Sequence, residues 1–171
     1  MSQDQTKKKK PQPAQGKELE GILQQWHRER PDIDATPMVV CGEVWRAGNR
    51  LHQRVVKNAS NYGLDFAGMD VLLTLRRQGT GQTLSPSVLA KDMMLSTAAM
   101  TNRLDRLEKR DLICRQSDLN DRRGIKVALT QAGTELADAL VVTHVQTEED
   151  LLSDLSIEER DQLRSLLARI G

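Results

Sequence analysis

Ser96, Thr97, Ala98, Thr101, Asn102 and Arg106 have types and spacing suited to reading nucleic acid. At about 100° per residue, Ala98, Thr101, Asn102 and Arg106 fall on one side of a helix. Small and polar residues near a helix N-terminus suit an approach to base edges in a major groove, where bulkier side chains block entry. Further on, residues 117–124 read SDLNDRRG, a turn-rich tip with adjacent arginines. An arginine at such a tip, Arg123, can enter a narrow, electronegative minor groove. Asp121 would hold its guanidinium in position. Arg122 is suited to phosphate, which adds affinity without sequence information. The plain alternatives are an exposed helix face and a solvated turn.

Bond-making chemistry has little support. His27, His52 and His144 are scattered without metal-binding spacing, and neither a phosphate-binding glycine loop nor a nucleophile–base pair is visible. The reading is therefore of a chain that is not an enzyme and needs no cofactor or metal. Cys41 and Cys114 lie far apart without ligand spacing and read as reduced thiols of a cytosolic protein. A thiol-based redox-sensing regulator is an alternative, although no tyrosine or histidine cluster beside Cys41 would stabilise a thiolate.

The elements that must position these residues follow from periodicity and caps. Met100, Leu104 and Leu107 recur at i, i+4, i+7 behind Ser96, a preferred N-cap, and predict a helix over 96–110. After Asp111 the period changes, and 112–116 and 125–129 read as strands, the second alternating Ile125, Val127, Leu129. A helix followed by a basic-tipped hairpin is the plan of a winged helix-turn-helix. Ser85-Pro86 starts the helix before it, running to about Met93. Asp65 caps a helix through Arg77 that is apolar on two sides, Phe66, Met69, Leu72 and Leu73 against Val71 and Leu75, and so is buried on both. Gly79-Thr80-Gly81 ends it.

Upstream, Leu19, Ile22, Leu23 and Trp26 predict an extra helix over 17–30. Thr36-Pro37 reads as cap and first turn of a long helix to Tyr62-Gly63. Downstream, Thr130 caps a helix bearing Leu136, Leu140 and Leu151. Ser156-Ile157-Glu158-Glu159 is a capping box leading into Leu163, Leu166, Leu167 and Ile170. The expected organisation is a disordered basic tail over 1–16 and an extra helix plus dimerisation helix over 17–62. A DNA-binding domain over 63–130 and dimerisation helices over 131–171 complete it.

Aromatic residues make up 2 % of the 171 residues and hydrophobic ones 38 %, so the core must be aliphatic. A net charge of +1 excludes a generally basic coat, and any DNA site must be a local patch. No apolar run is long enough to span a membrane and no signal-peptide pattern is present, which reads as cytoplasmic, without a membrane partner. The terminal helices carry apolar faces with no third layer of their own; a second copy would cover them and make a two-fold homodimer. Arg103 sits beside the Met100–Leu107 stripe and Asp70 beside Met69 and Leu73. Neither charge should be buried alone, so each is expected to partner the other.

Residues 85–133, SPSVLAKDMMLSTAAMTNRLDRLEKRDLICRQSDLNDRRGIKVALTQAG, resemble the DNA-binding core of the MarR family of bacterial transcriptional regulators. The likeness includes the wing motif D-x-R-G at Asp121, Arg122, Arg123 and Gly124, and its L-T-x-x-G continuation at Leu129, Thr130 and Gly133. Leu119 departs from it, standing where relatives commonly have proline. The resemblance implies a mainly α fold, a winged helix-turn-helix with a helical dimerisation region. It also implies a homodimer whose two wings span a pseudo-palindrome on double-stranded DNA, the two helix-turn-helices roughly 34 Å apart.

The extra helix with Trp26, followed by ERPDID and the long helix, is similar to the urate-responsive branch of that family. This implies that Trp26, Asp70 and Arg103 take part in the response to a small anionic ligand such as urate. Trp26 alternatively serves as a hydrophobic staple. The expected function is a ligand-responsive repressor. A helical dimerisation module without ligand response would account for the terminal helices but not for the wing.

Overall fold

The computed structural model describes residues 16–93, 96–118 and 124–171. They form two compact units, one ending at Arg50 and one running from Leu51 to Gly171. In the first, α1 (Gly16–Glu29) buries Leu19 against Gly42 of α2 (Thr36–Ser60). A Cβ at Gly42 would lie 3.0 Å from Leu19 Cδ2, so the glycine makes room for the leucine. Arg30 clasps Asp32 with two bonds of 2.7 and 2.6 Å in the turn between the helices. Asp34 then accepts the Thr36 N–H at 2.9 Å. Thr36 is thus itself helical rather than the cap, and the Asp34 carboxylate, two residues before it, satisfies its orphan N–H.

The second unit contains the last turns of α2, then α3 (Phe66–Arg77), α4 (Pro86–Asp92) and α5 (Thr97–Lys109). It continues with β1 (Ile113–Ser117), β2 (Ile125–Leu129), α6 (Gln131–Leu151) and α7 (Ile157–Leu167). Five of its helix starts are capped by side chains at the residues expected. Asp65, Ser85, Ser96, Thr130 and Ser156 each accept a backbone N–H, and Ser156 and Glu159 complete the capping box. Helix α3 runs through the core, with Val71, Leu72 and Leu75 essentially inaccessible against α5, α6 and β2. The strands pair antiparallel from Ile113↔Leu129 to Ser117↔Ile125, and Leu84 bridges Val127 from the other side. Among the described residues, no helix is long and apolar enough to cross a membrane.

Several expectations need correction. Strand β1 starts at Ile113, one residue late, because the Leu112 N–H closes the end of α5 on Leu107 O at 3.0 Å. Ile125, at the loop end of the hairpin, is exposed, so burial along β2 is centred on Val127 and Ala128 rather than strictly alternating. Phe66 stands 41 % exposed in the first turn of α3, its ring set edge-on to His52 at 5.0 Å rather than in the core.

Candidate nucleic-acid interface

The face expected to read nucleic acid is built on a buried stripe. Met100, Leu104 and Leu107 are inaccessible and fix the rotation of α5 about its axis. Ser96, Thr97, Ala98, Thr101, Asn102 and Arg106 are consequently all exposed. Ser96 Oγ accepts the Ala99 N–H at 3.3 Å and the Thr101 hydroxyl donates to Thr97 O at 3.0 Å. The Asn102 amide is exposed and makes no hydrogen bond among the described residues. The Arg106 guanidinium stands 3.7 Å from the Asp65 carboxylate and is 77 % exposed, a loose pair that water screens.

The wing is fixed at its base. Asp118 N–H donates to Gly124 O at 2.9 Å, and Lys126 pairs with the Asp118 carboxylate at 3.2 Å. Leu119, Asp121, Arg122 and Arg123 lie outside the described residues, as does nearly all of the expected 1–16 tail. Sequence reasoning missed the brace between wing and helix: Arg115 on β1 reaches Asp105 at 2.7 Å and Glu108 at 2.6 Å on α5. Two carboxylates at i, i+3 followed by an arginine in the next strand was the available signal.

A second brace joins the wing to α6. Thr130 Oγ1 donates to Asp111 O at 2.6 Å and accepts the Gly133 N–H at 3.0 Å. Its own N–H donates to Leu112 O at 3.2 Å. Asp111 has a φ of 56°, the left-handed conformation needed to turn from α5 into β1. The L-T-x-x-G pattern is thus the joint that sets the hairpin on the following helix.

The expected Asp70–Arg103 pair takes another form. Asp70 is half-buried, and burial pushes its carboxyl above the ordinary range, against the pull of Arg77, Arg103 and His144. Arg77 exerts the largest pull, since it lies two turns along the same face of α3, and no direct ion pair joins Asp70 to Arg103. Arg103 instead lines a cleft of about 460 Å³ with Asp65, Arg106, Lys109 and Arg110. Arg110 is engaged there, donating to Gly63 O at 2.6 Å and Tyr62 O at 3.2 Å. Trp26 is 37 % exposed on α1, in the first unit. Cys41 and Cys114 are free and exposed.

The MarR family profile matches residues 68–125, the span from α3 into β2. The HTH-type transcriptional regulator PecS of Dickeya dadantii is 39 % identical over 153 residues, covering 90 % of this chain and 92 % of PecS. Among solved structures, Bordetella bronchiseptica BpsR, whose DNA binding is regulated by 6-hydroxynicotinic acid, superposes with a TM-score of 0.65. It is 27 % identical, with 76 % of this chain and 96 % of BpsR covered. A cysteine-to-serine mutant of Escherichia coli MarR in complex with operator DNA superposes at 0.68 over 84 % of this chain and 96 % of MarR; at 21 % identity it speaks for the fold alone. With a winged helix-turn-helix and a relative this similar along nearly its whole length, the chain belongs to the MarR family.

Proposed function

We propose that this chain is a DNA-binding transcriptional repressor that acts as a homodimer on a pseudo-palindromic operator and is released by a small anionic aromatic ligand such as urate. The observation that carries the DNA reading is the recognition face itself. Ser96, Thr97, Ala98, Thr101 and Asn102 at the N-terminal part of a helix that a wing follows, with Arg106 in its last turn, are exposed above a fully buried stripe. Asp121, Arg122 and Arg123 at the wing tip complete the interface, Arg123 in the minor groove and Arg122 on phosphate.

Two-fold pairing is supported by apolar surface the single chain leaves in water. Helix α7 buries no residue, with Leu166 57 % and Ile157 75 % exposed, and Val142 on α6 is 68 % exposed. Such clustering on terminal helices marks a protein–protein interface. The ligand reading rests on Trp26, Asp70 and Arg103. Arg103 is half-buried with no direct ion pair or side-chain hydrogen bond among the described residues, which leaves its guanidinium for an anion. BpsR, with a hydroxylated aromatic acid as its regulator, supports that ligand class. Release requires tighter binding to the DNA-incompetent arrangement, and a tenfold operator effect needs about 1.4 kcal/mol of such difference.

Operator selection from random duplexes, followed by gel shift with and without urate, tests this reading. It expects a selected pseudo-palindrome, a complex of two chains and a loss of that complex on adding urate. Light scattering of the free protein should report about twice the 19.2 kDa chain mass.

A further inference from the structure

Helix α5 packs on α3, α4 and β1, and α6 on α3 and β2, with little direct contact between α5 and α6. A polar connection between them runs through the turn after α2. Arg110, which closes α5, donates from Nη1 to Gly63 O at 2.6 Å and from Nη2 to Tyr62 O at 3.2 Å. Both carbonyls lie just past the end of α2, where helix geometry leaves acceptors without intrahelical partners. Gly63 takes a φ of 66°, the left-handed conformation that lets the chain turn from α2 towards α3.

The side chain of Tyr62 reaches the other helix. Its ring packs on the core, and its hydroxyl lies 2.9 Å from Thr143 Oγ1 and 3.1 Å from Ala139 O, both on α6. The Thr143 hydroxyl donates its own proton to Leu140 O at 3.1 Å, so Tyr62 is the donor to α6. One residue therefore holds α6 by its side chain and α5 by its carbonyl. The arginine fork is charge-assisted and fixes direction as well as distance. The tyrosine ring has only two rotatable angles, which leaves little slack along the path.

Resting on the dimeric operator reading above, we propose that Tyr62 is a positioning residue: with Arg110 it couples α6 to α5 and so fixes how the two recognition helices of a dimer are spaced. Half-sites one helical turn apart lie about 34 Å from each other. One base pair more or less moves a half-site by about 3.4 Å and rotates it by about 35°. A stiff connection between α6 and α5 penalises that change, and a slack one forgives it.

The test compares binding isotherms of the full chain on the selected operator and on derivatives with a spacer one base pair longer or shorter. Tyr62→Phe removes only the hydroxyl and should fold normally. It should bind the selected operator within about tenfold of wild type, the range of one hydrogen bond. Its preference for the correct spacing should fall by about fivefold or more, and Arg110→Ala should relax spacing likewise. The double variant should add little to either single one, because both cut the same path. In the free protein, Tyr62→Phe should shift backbone amide resonances in the last turn of α5 as well as those around Thr143. A spacing preference fully retained in Tyr62→Phe, α5 resonances that stay still, or additive variants would overturn the proposal. So would a salt slope lowered by about 0.9 in Arg110→Ala, the mark of a phosphate contact. A wild type indifferent to spacing would instead refute the two-fold operator reading, while the resonances still decide the coupling without DNA.

Discussion

Gly133 lies against the backbone of Leu112 so closely that a Cβ at position 133 would overlap the Leu112 carbonyl oxygen. That oxygen also accepts the Thr130 N–H, so the first turn of α6 is seated by backbone contact on the turn that leads from α5 into β1. The joint locates the wing relative to the recognition helix, a relation that two-groove recognition needs.

Gly133→Ala therefore should push α6 off this seat. The methyl has only backbone to meet, so it cannot be absorbed by a rotamer change. We expect a loss of about 1–3 kcal/mol, the usual scale of overpacking. Urea denaturation measures it, and Ala132→Gly on the exposed side of the same turn should cost about 1 kcal/mol or less.

Asp70 supplies a pH signature. Its carboxyl titrates above the ordinary range in the folded chain because burial disfavours the charge. The folded state then holds the proton more tightly than the unfolded state. Ionised Asp70 costs stability above its folded pKa, and the cost vanishes below the ordinary carboxylate value of about 3.9. Asp70→Asn should raise the melting temperature at pH 7, and the gain over wild type should shrink as the pH falls towards 4. A gain that grows on acidification would contradict this assignment.

The caps were legible in the sequence because they are local. Asp65, Ser85, Ser96, Thr130 and Ser156 each bond a backbone N–H within three residues, inside the reach of a short polar side chain. The core stripes of α3 and α5 were legible for the same reason, as each repeats with the helical period. Partners across the fold were not. Arg115 with Asp105, Arg110 with the Tyr62 and Gly63 carbonyls, and Arg76 with Asp138 join elements whose approach no local pattern encodes. Asp70 misled in the opposite way, since its partner was sought on α5 while the larger pull comes from Arg77 on its own helix. Phe66 misled because periodicity gives a side chain's direction but not the end of the core.

The two wing arginines should behave differently. Arg123→Ala is expected to weaken specific binding by about 1–3 kcal/mol per wing, the scale of a good groove contact. Arg122→Ala should weaken binding evenly across sequences and lower the salt slope by roughly 0.9 for each phosphate no longer neutralised. Binding isotherms at several salt concentrations separate the two effects. If neither substitution changes affinity or slope, the wing lies outside the DNA.

Ligand response should depend on Arg103 and Trp26. Urate titrated into the preformed operator complex should release DNA from the wild type, and Arg103→Ala and Trp26→Ala should lose that release. Tryptophan fluorescence in the same titration distinguishes Trp26 from Trp45, which is 77 % exposed. Saturable quenching that persists in Trp26→Ala, with DNA release unaltered, would place the ligand elsewhere.

The central claim is that the exposed face of α5 reads operator sequence. Its most direct test is equilibrium binding of the wild type and of Asn102→Ala/Arg106→Ala to the selected operator and to a scrambled duplex at one salt concentration. The wild type should prefer the operator by about 10³-fold or more. The variant, with unchanged helix content, should lose about 1–3 kcal/mol of that preference for each base contact removed. Equal binding of both duplexes by the wild type, or a fully retained preference in the variant, would contradict the assignment.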